Sequence, residues 1–319
     1  MALSPHAKPA IWDTPAAPGE RRRVSRRERE MSQSNYTLQC IERAVTFMSD
    51  KTRAGEAPDL DGIASAAGLS KYHFNRLYRL ATGETPGETL TRFKLSQATE
   101  RLRNPDVSVT AAAFSAGYGS SQSFAKALKR VLSASATSIR EDAERLGAAI
   151  ETLIVPQTAD GEDRADLSVE IAQIEPFKAI ALRTDGTYPS LNASYWALFE
   201  AAGGPDAVQA ILGRPYGDIG SDTHDDLRFD CALKLTGPVG QLPQSITHTD
   251  VIGGAYLVTR HVGSYDQLPD AIDRLYLAAL SLDEARISDE PLLFHYLDDP
   301  ETNAEADLRT DLYLSLDTQ

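Results

Sequence analysis

With 319 residues, 42% of them apolar, and a formal net charge of −14, the chain has room for two domains of ordinary globular composition. It holds no run of about 18 apolar residues, which argues against a membrane helix. The opening "MALSPHAKPAIWDTPAAPGE" lacks the apolar centre of a secretory signal, so a cytoplasmic location is expected.

Charge is distributed unevenly. Residues 1–33 carry 7 basic and 4 acidic groups, residues 34–145 carry 15 and 12, and residues 166–319 carry 9 and 26. Such asymmetry points to a polyanionic partner for the first half alone. Cys40 and Cys231 have no metal-like spacing and read as small core residues in a reducing compartment.

Residues 1–33 show no apolar periodicity and are expected to form a disordered basic tail. Its run "ERRRVSRRERE" suits a solvated tail or an arm on phosphates, and Met31 is an alternative start. A helical region follows over 34–146. "YTLQCIERAVTFM" places Leu38, Ile41, Val45 and Met48 at helical spacing. Thr85, Pro86 and Glu88 form a capping box with Pro at the first helical position, so a helix starts there and stops before Pro105. Residues 147–166, rich in Gly, Pro and acids, read as a linker. From 167 the period becomes that of strands, in "LSVEIAQI", "KAIALRT", "FDCALKL", "GAYLVTRHV" and "TDLYLSL". Helices are expected in "SLNASYWALFEAAG" and "QLPDAIDRLYLAALSL".

The helical half is duplicated. "IASAAGLSKYHFNRLYRLATG" aligns with "AAFSAGYGSSQSFAKALKRVLSA", matching Gly68 to Gly117, Ser70 to Ser120, Phe74 to Phe124 and Arg79 to Lys129. Each unit is a short helix, a Gly turn and a second helix with Ser as its cap, the plan of a helix-turn-helix. A connecting helix over 86–103 spans about 26 Å at 1.5 Å per residue. That length could hold two reading helices near one duplex turn, about 34 Å, so a monomer could read one asymmetric site.

On "GLSKYHFNRLYRLATGETP" and "GYGSSQSFAKALK", residues 34–145 resemble the DNA-binding domain of AraC/XylS-type transcription regulators. The family's continuing "GxTPxxYR" stands here as "SASATSIR" (133–140), without its Gly and Pro. Phe74, Leu77 and Tyr78 are expected to face the core. The resemblance implies that Tyr72, Asn75 and Arg76 approach bases or sugars, with Ser121, Gln122, Ser123 and Lys126 corresponding in the second unit. Asn suits adenine and Arg suits guanine. Arg79, Lys129 and Arg130 are expected on phosphates, and His73 in local packing.

The acidic half is duplicated as well. Residues 181–199 align with 258–276, and 226–235 with 307–316. Each half reads strand, Gly turn, helix, strand, strand. Two halves joined edge to edge make one antiparallel sheet with both helices on one face and a groove between them. The expected fold is therefore multidomain: an all-α tandem helix-turn-helix domain, then a duplicated (β-α-β-β) α+β domain. On "RTDGTY", "RHVGSY" and "YLDDP", residues 167–319 resemble the GyrI-like small-molecule-binding domain, which is also fused to helix-turn-helix domains in Rob-type and multidrug-responsive regulators.

Aromatic residues gather where the groove is expected: Tyr188, Tyr195, Trp196, Phe199, Tyr216, Tyr265, Tyr276, Phe294 and Tyr296, about half of them in the core. Family members that bind cationic drugs have Glu two residues before the Tyr of "YLxDP". Here that residue is Phe294, which favours a neutral apolar or aromatic ligand.

The leading reading is a regulator that binds promoter DNA and senses a small molecule, with RNA polymerase as a further partner. One alternative is a GyrI-like hydrolase of reactive apolar compounds, which the missing carboxylate weakens. Another is a regulator whose second half binds a protein. No catalytic residue, cofactor or metal is expected: His224, His248 and His261 lack metal spacing, and nucleophile-elbow, P-loop and dinucleotide motifs are absent.

Overall fold

The computed structural model describes residues 21–23, 35–154, 169–217, 228–280, 282 and 286–317. It divides into two compact units, one holding residues 37–154 and the other 169–317 together with 21–23 and 35–36.

The first unit is helical: α1 (Asn35–Arg53), α2 (Leu60–Ala67), α3 (Lys71–Thr82), α4 (Pro86–Arg101), α5 (Val109–Ser115), α6 (Ser121–Leu132), α7 (Ala136–Arg140) and α8 (Ala143–Ile154). Helix ends follow local chemistry. Asp59 accepts from Gly62 N at 2.8 Å to start α2, and Gly68 ends it at φ +72°. The Thr85–Glu88 capping box starts α4 as expected, and its 16 residues make about 24 Å. Ser70 departs from expectation. It precedes α3 but makes no side-chain cap, because its hydroxyl is buried instead of turned to the helix start. Ser120 does cap α6, accepting from Ser123 N at 3.1 Å.

Where the family carries Gly, Ser133 ends α6 at φ +52°, the one positive φ outside Gly among the described residues. Ser135 then caps α7 in place of a Thr-Pro start. A left-handed non-Gly residue costs about 1–2 kcal/mol, partly offset by the flexibility Gly adds to the unfolded chain, so Ser133→Gly should stabilise by about 0.5–1 kcal/mol in urea unfolding.

Helix α8 corrects the expected linker. Residues 147–154 are helical, and Leu146, Ala149, Ile150 and Leu153 bury at helical spacing against Leu95, Phe124, Leu128 and Ile139. Residues 155–166 lie outside the described residues. In α1 the buried seam is Cys40, Ile41, Ala44 and Met48, with Val45 half-buried.

The second unit contains β2 (Glu170–Ile174), β3 (Phe177–Thr184), α9 (Tyr188–Ala202), β4 (Val208–Tyr216), β5 (Arg228–Leu235), β6 (Thr247–Val251), β7 (Gly254–Val262), α10 (Leu268–Leu280), β8 (Arg286–Ile287), β9 (Leu293–Tyr296) and β10 (Arg309–Asp317). With β1 (Arg21–Arg23), the strand order is β1-β2-β7-β10-β9-β4-β5-β3-β6, and β8 pairs with β10. All pairings are antiparallel. The two halves join through β4 and β9, where Gly213 faces Phe294.

Edge strands are exchanged between halves. β2 precedes β3 in sequence yet pairs with β7, while β6 precedes β7 and pairs with β3. Only two residues separate each consecutive pair, so the sheet must bend back until its ends meet. At that meeting, a Cβ on Gly253 would lie 2.6 Å from Pro176 Cδ. The enclosed face is lined by Ala172, Ala179, Ala181, Ala210 and Ala232, with Tyr256 and Tyr313. Small residues permit this closure.

Arg21–Arg23 pair with Glu170–Ala172, which corrects the tail expectation for those three residues. β2 otherwise presents unpaired backbone groups at the sheet edge, and β1 satisfies them. The rest of residues 1–33 lies outside the described residues.

Candidate nucleic-acid interface and ligand groove

In α3, Phe74, Leu77 and Tyr78 are buried as expected, and His73 with them. Asn75 and Arg79 are half-buried. Arg76 corrects the sequence expectation. It is 4% exposed, so its guanidinium is engaged inside the fold and is not displayed toward bases. Residues 73, 74, 76, 77 and 78 all bury, giving α3 a wider inner face than its apolar residues alone mark. Tyr72 lies in the first turn of α3; its side chain is outside the described set.

A short polar chain fixes α3 to its neighbours. Tyr78 Oη and Thr89 Oγ1 are 2.7 Å apart, and Thr89 donates to Glu84 Oε1 at 2.6 Å. Arg92 pairs with Glu84 through Nε and Nη2 and donates from Nη1 to Leu153 O at 2.7 Å. Burial pushes the Tyr78 phenol above its ordinary pKa, so it stays neutral in this chain of contacts. The turn after α3, helix α4 and the end of α8 therefore share one buried ion pair.

In α6, Phe124 and Leu128 face inward, while Gln122, Lys126, Lys129 and Arg130 stand exposed on the outer side. Ser121 is half-buried. Ser123 is exposed, but its hydroxyl donates to Ser120 O at 2.8 Å. That bond holds it in the capping box and directs its proton to the helix start. The displayed comb is thus one amide and three cations.

In the second unit, rings from both halves meet over the β4–β9 junction. Tyr296 lies 6.2 Å from Tyr195, 5.5 Å from Tyr265 and 6.3 Å from Phe294, all near edge-to-face. Phe229 lies 6.2 Å from Phe294. Tyr195 donates to Leu212 O at 2.8 Å. Burial holds the Tyr195 and Tyr296 phenols well above their ordinary pKa. It also pushes the nearby Cys231 thiol up to about 12. The ring cluster therefore carries no charge near neutral pH. Gly213 makes this packing possible, since a Cβ there would lie 2.5 Å from the Phe229 ring and 3.1 Å from Tyr296 Oη.

Of the sequence-predicted ligand residues, Tyr265, Phe294 and Tyr296 come together here. Trp196 is 44% exposed and Phe199 half-buried on α9. Tyr276 is 1% exposed, a core residue of α10. Tyr188 opens α9; its side chain is outside the described set. Tyr216 is a correction. Its ring stacks under Arg183 at 4.4 Å, and its hydroxyl donates to Asp230 at 3.0 Å. Alternation along β4 puts Tyr216 on the sheet face opposite Gly213. Phe229, Cys231 and Gly213 belong to the cluster but were missed; strand alternation from Phe229 to Cys231 was the available signal. Among the described residues, no group of three or more His, Cys, Asp or Glu could hold a metal, and no helix is long and apolar enough to cross a membrane.

A family model described as GyrI-like small molecule binding domain matches residues 167–317, and one for a helix-turn-helix domain matches 63–142. The chain is 27% identical over 105 residues to a protein of Escherichia coli (strain K12) named Probable transcriptional regulator YgiV, covering 33% of this chain and 66% of that one. That is just under two thirds of the relative's length. It is 31% identical over 72 residues to the regulatory protein SoxS of Salmonella typhimurium, covering 23% of this chain and 67% of SoxS. Among solved structures, the DNA-binding domain of AdpA in complex with a target DNA is similar at 25% identity and a TM-score of 0.29. That match covers 32% of this chain and 91% of the AdpA domain.

Proposed function

The chain belongs to the AraC-type family of helix-turn-helix transcription regulators and carries a GyrI-like small-molecule-binding domain, and from that premise we propose how it works. The outer comb of α6, with Asn75 and Arg79 of α3, contacts a promoter duplex in the cytoplasm. The aromatic cluster takes a neutral apolar or aromatic ligand, and occupancy shifts the regulator between two states that act on RNA polymerase. A ligand can do this only by binding the two states unequally. The observation that carries the DNA part is the exposed run Gln122, Lys126, Lys129, Arg130 on a well-capped helix. Support for a neutral ligand is the ring cluster itself, whose phenols and thiol stay uncharged. The same chemistry favours a sensor over a hydrolase, because none of these groups titrates near neutral pH to serve as acid or base.

The test is anisotropy with selected genomic fragments across a salt series. Affinity should fall with salt by a log–log slope of about −0.9 for each phosphate neutralised. Lys126→Ala should weaken binding to all sequences and flatten that slope by about one unit if it holds a phosphate. If it reads a base, it should cost about 1–3 kcal/mol on the preferred sequence alone. Binding without sequence preference at any salt would refute a regulator that works through this comb.

A further inference from the structure

Outside the ring cluster, a hollow of about 260 Å³ opens between the end of β7 and α10. Arg260, His261 and Val262 line it from the strand, and Gln267, Asp270 and Arg274 from the helix side. None of its lining comes from β9 or β10, so it is separate from the ring cluster.

At the corresponding corner of the first half the protein supplies a carboxylate of its own, Asp185. The two halves superpose in sequence with Arg183 on Arg260 and Asp185 on Val262. The register is secured by structure: Arg183 grips Asp230 with two hydrogen bonds, and Arg260 grips Asp311 in the same way. Both turns follow with Gly at positive φ, Gly186 and Gly263. In the first half, the Asp185 carboxylate accepts from Thr187 N at 3.0 Å, from Thr187 Oγ1 at 2.9 Å and from Ser190 Oγ. These bonds hold the Asp185 carboxyl down at about 2.

The second half has lost that carboxylate, because Val262 stands in its place. Three positions have changed with it: Ser190, Ala193 and Ala197 correspond to Gln267, Asp270 and Arg274. Two small residues and a hydroxyl have become an amide, a carboxylate and a guanidinium around an opening. Arg260 beside them is fixed through Nε and Nη2 by Asp311, which is 1% exposed, so its Nη1 lies outside that pair in a held position.

We propose that this hollow binds a small amphoteric carboxylate of the amino-acid type. Its carboxylate takes the place of the one built into the first half and accepts from Arg274 and Gln267. Its ammonium donates to Asp270. Charge-assisted hydrogen bonds of this kind are the strong ones. The surrounding residues 166–319 hold 26 acidic and 9 basic groups, a field that disfavours a simple anion and leaves a net-neutral zwitterion unopposed.

The experiment titrates the full chain with alanine and, separately, with acetate, following by NMR the arginine Nε–H signals and the Gln267 side-chain amide, which every variant retains. Alanine should shift the Arg274 signal saturably, and acetate more weakly. Arg274→Gln should weaken both by about tenfold or more, the loss of one charge-assisted bond. Asp270→Asn should weaken alanine and spare acetate. Val262→Asp restores the first half's carboxylate at a site 57% exposed, where Asp is tolerated, and should block both. Shifts that never saturate, or saturable binding that survives both Arg274→Gln and Val262→Asp, would overturn the assignment.

Discussion

Arg92→Met is expected to cost about 3–5 kcal/mol, because it leaves the Glu84 carboxylate buried without its counter-charge. Both side chains are under one tenth exposed, and Arg92 also serves Leu153 O at the end of α8. A typical domain holds about 5–15 kcal/mol in reserve, so this single change consumes much of it. The loss should spread from α4 to both neighbours. Hydrogen exchange of peptides from 71–101 and 143–154 should accelerate together, and DNA affinity should fall even though no residue of the α6 comb has changed. Replacing the pair jointly, Glu84→Leu with Arg92→Met, should recover most of the stability, since well-packed apolar residues often match a buried ion pair. Undiminished protection in Arg92→Met would mean that the Glu84–Arg92 pair does not hold these helices.

Phe294→Ala should cost about 3–5 kcal/mol by removing a ring that is 1% exposed and opening a cavity among Phe229, Tyr296 and Gly213. An apolar cavity of this kind binds small apolar rings. Toluene or indole should therefore raise the variant's melting temperature, because a ligand that binds only the folded state stabilises it. Tetramethylammonium should not, as the cluster offers no carboxylate. Equal rescue by the cation would show that the ring faces select positive charge and would remove the neutral-ligand reading.

What could be read early was local. Thr85 and Glu88 close a capping box within four residues. Gly68 turns the chain at a position matched by Gly117 in the repeat. Neither needs information from elsewhere in the chain. Arg76 misleads because a polar residue two places from Phe74 reads as outward, while the packing around α3 encloses it. The α8 residues Leu146, Ile150 and Leu153 carried a helical period that the adjoining Pro, Gly and acids obscured. Tyr216 shows the same limit in a strand, where one residue of shift exchanges the faces of the sheet.

The sequence by itself determined the two domains, the duplication inside each, the caps at Thr85 and Ser120 and the uneven charge, because all of these rest on spacing within a few residues or on composition. Tertiary structure alone decided which polar side chains are displayed, how β2 and β6 exchange halves, and that a hollow opens between the end of β7 and α10. Those outcomes depend on contacts between residues far apart in the chain: β2 meets β7 eighty or more residues on, and Arg92 meets Leu153 across sixty-one. Neither partner's local pattern names the other, so only the folded chain brings them together.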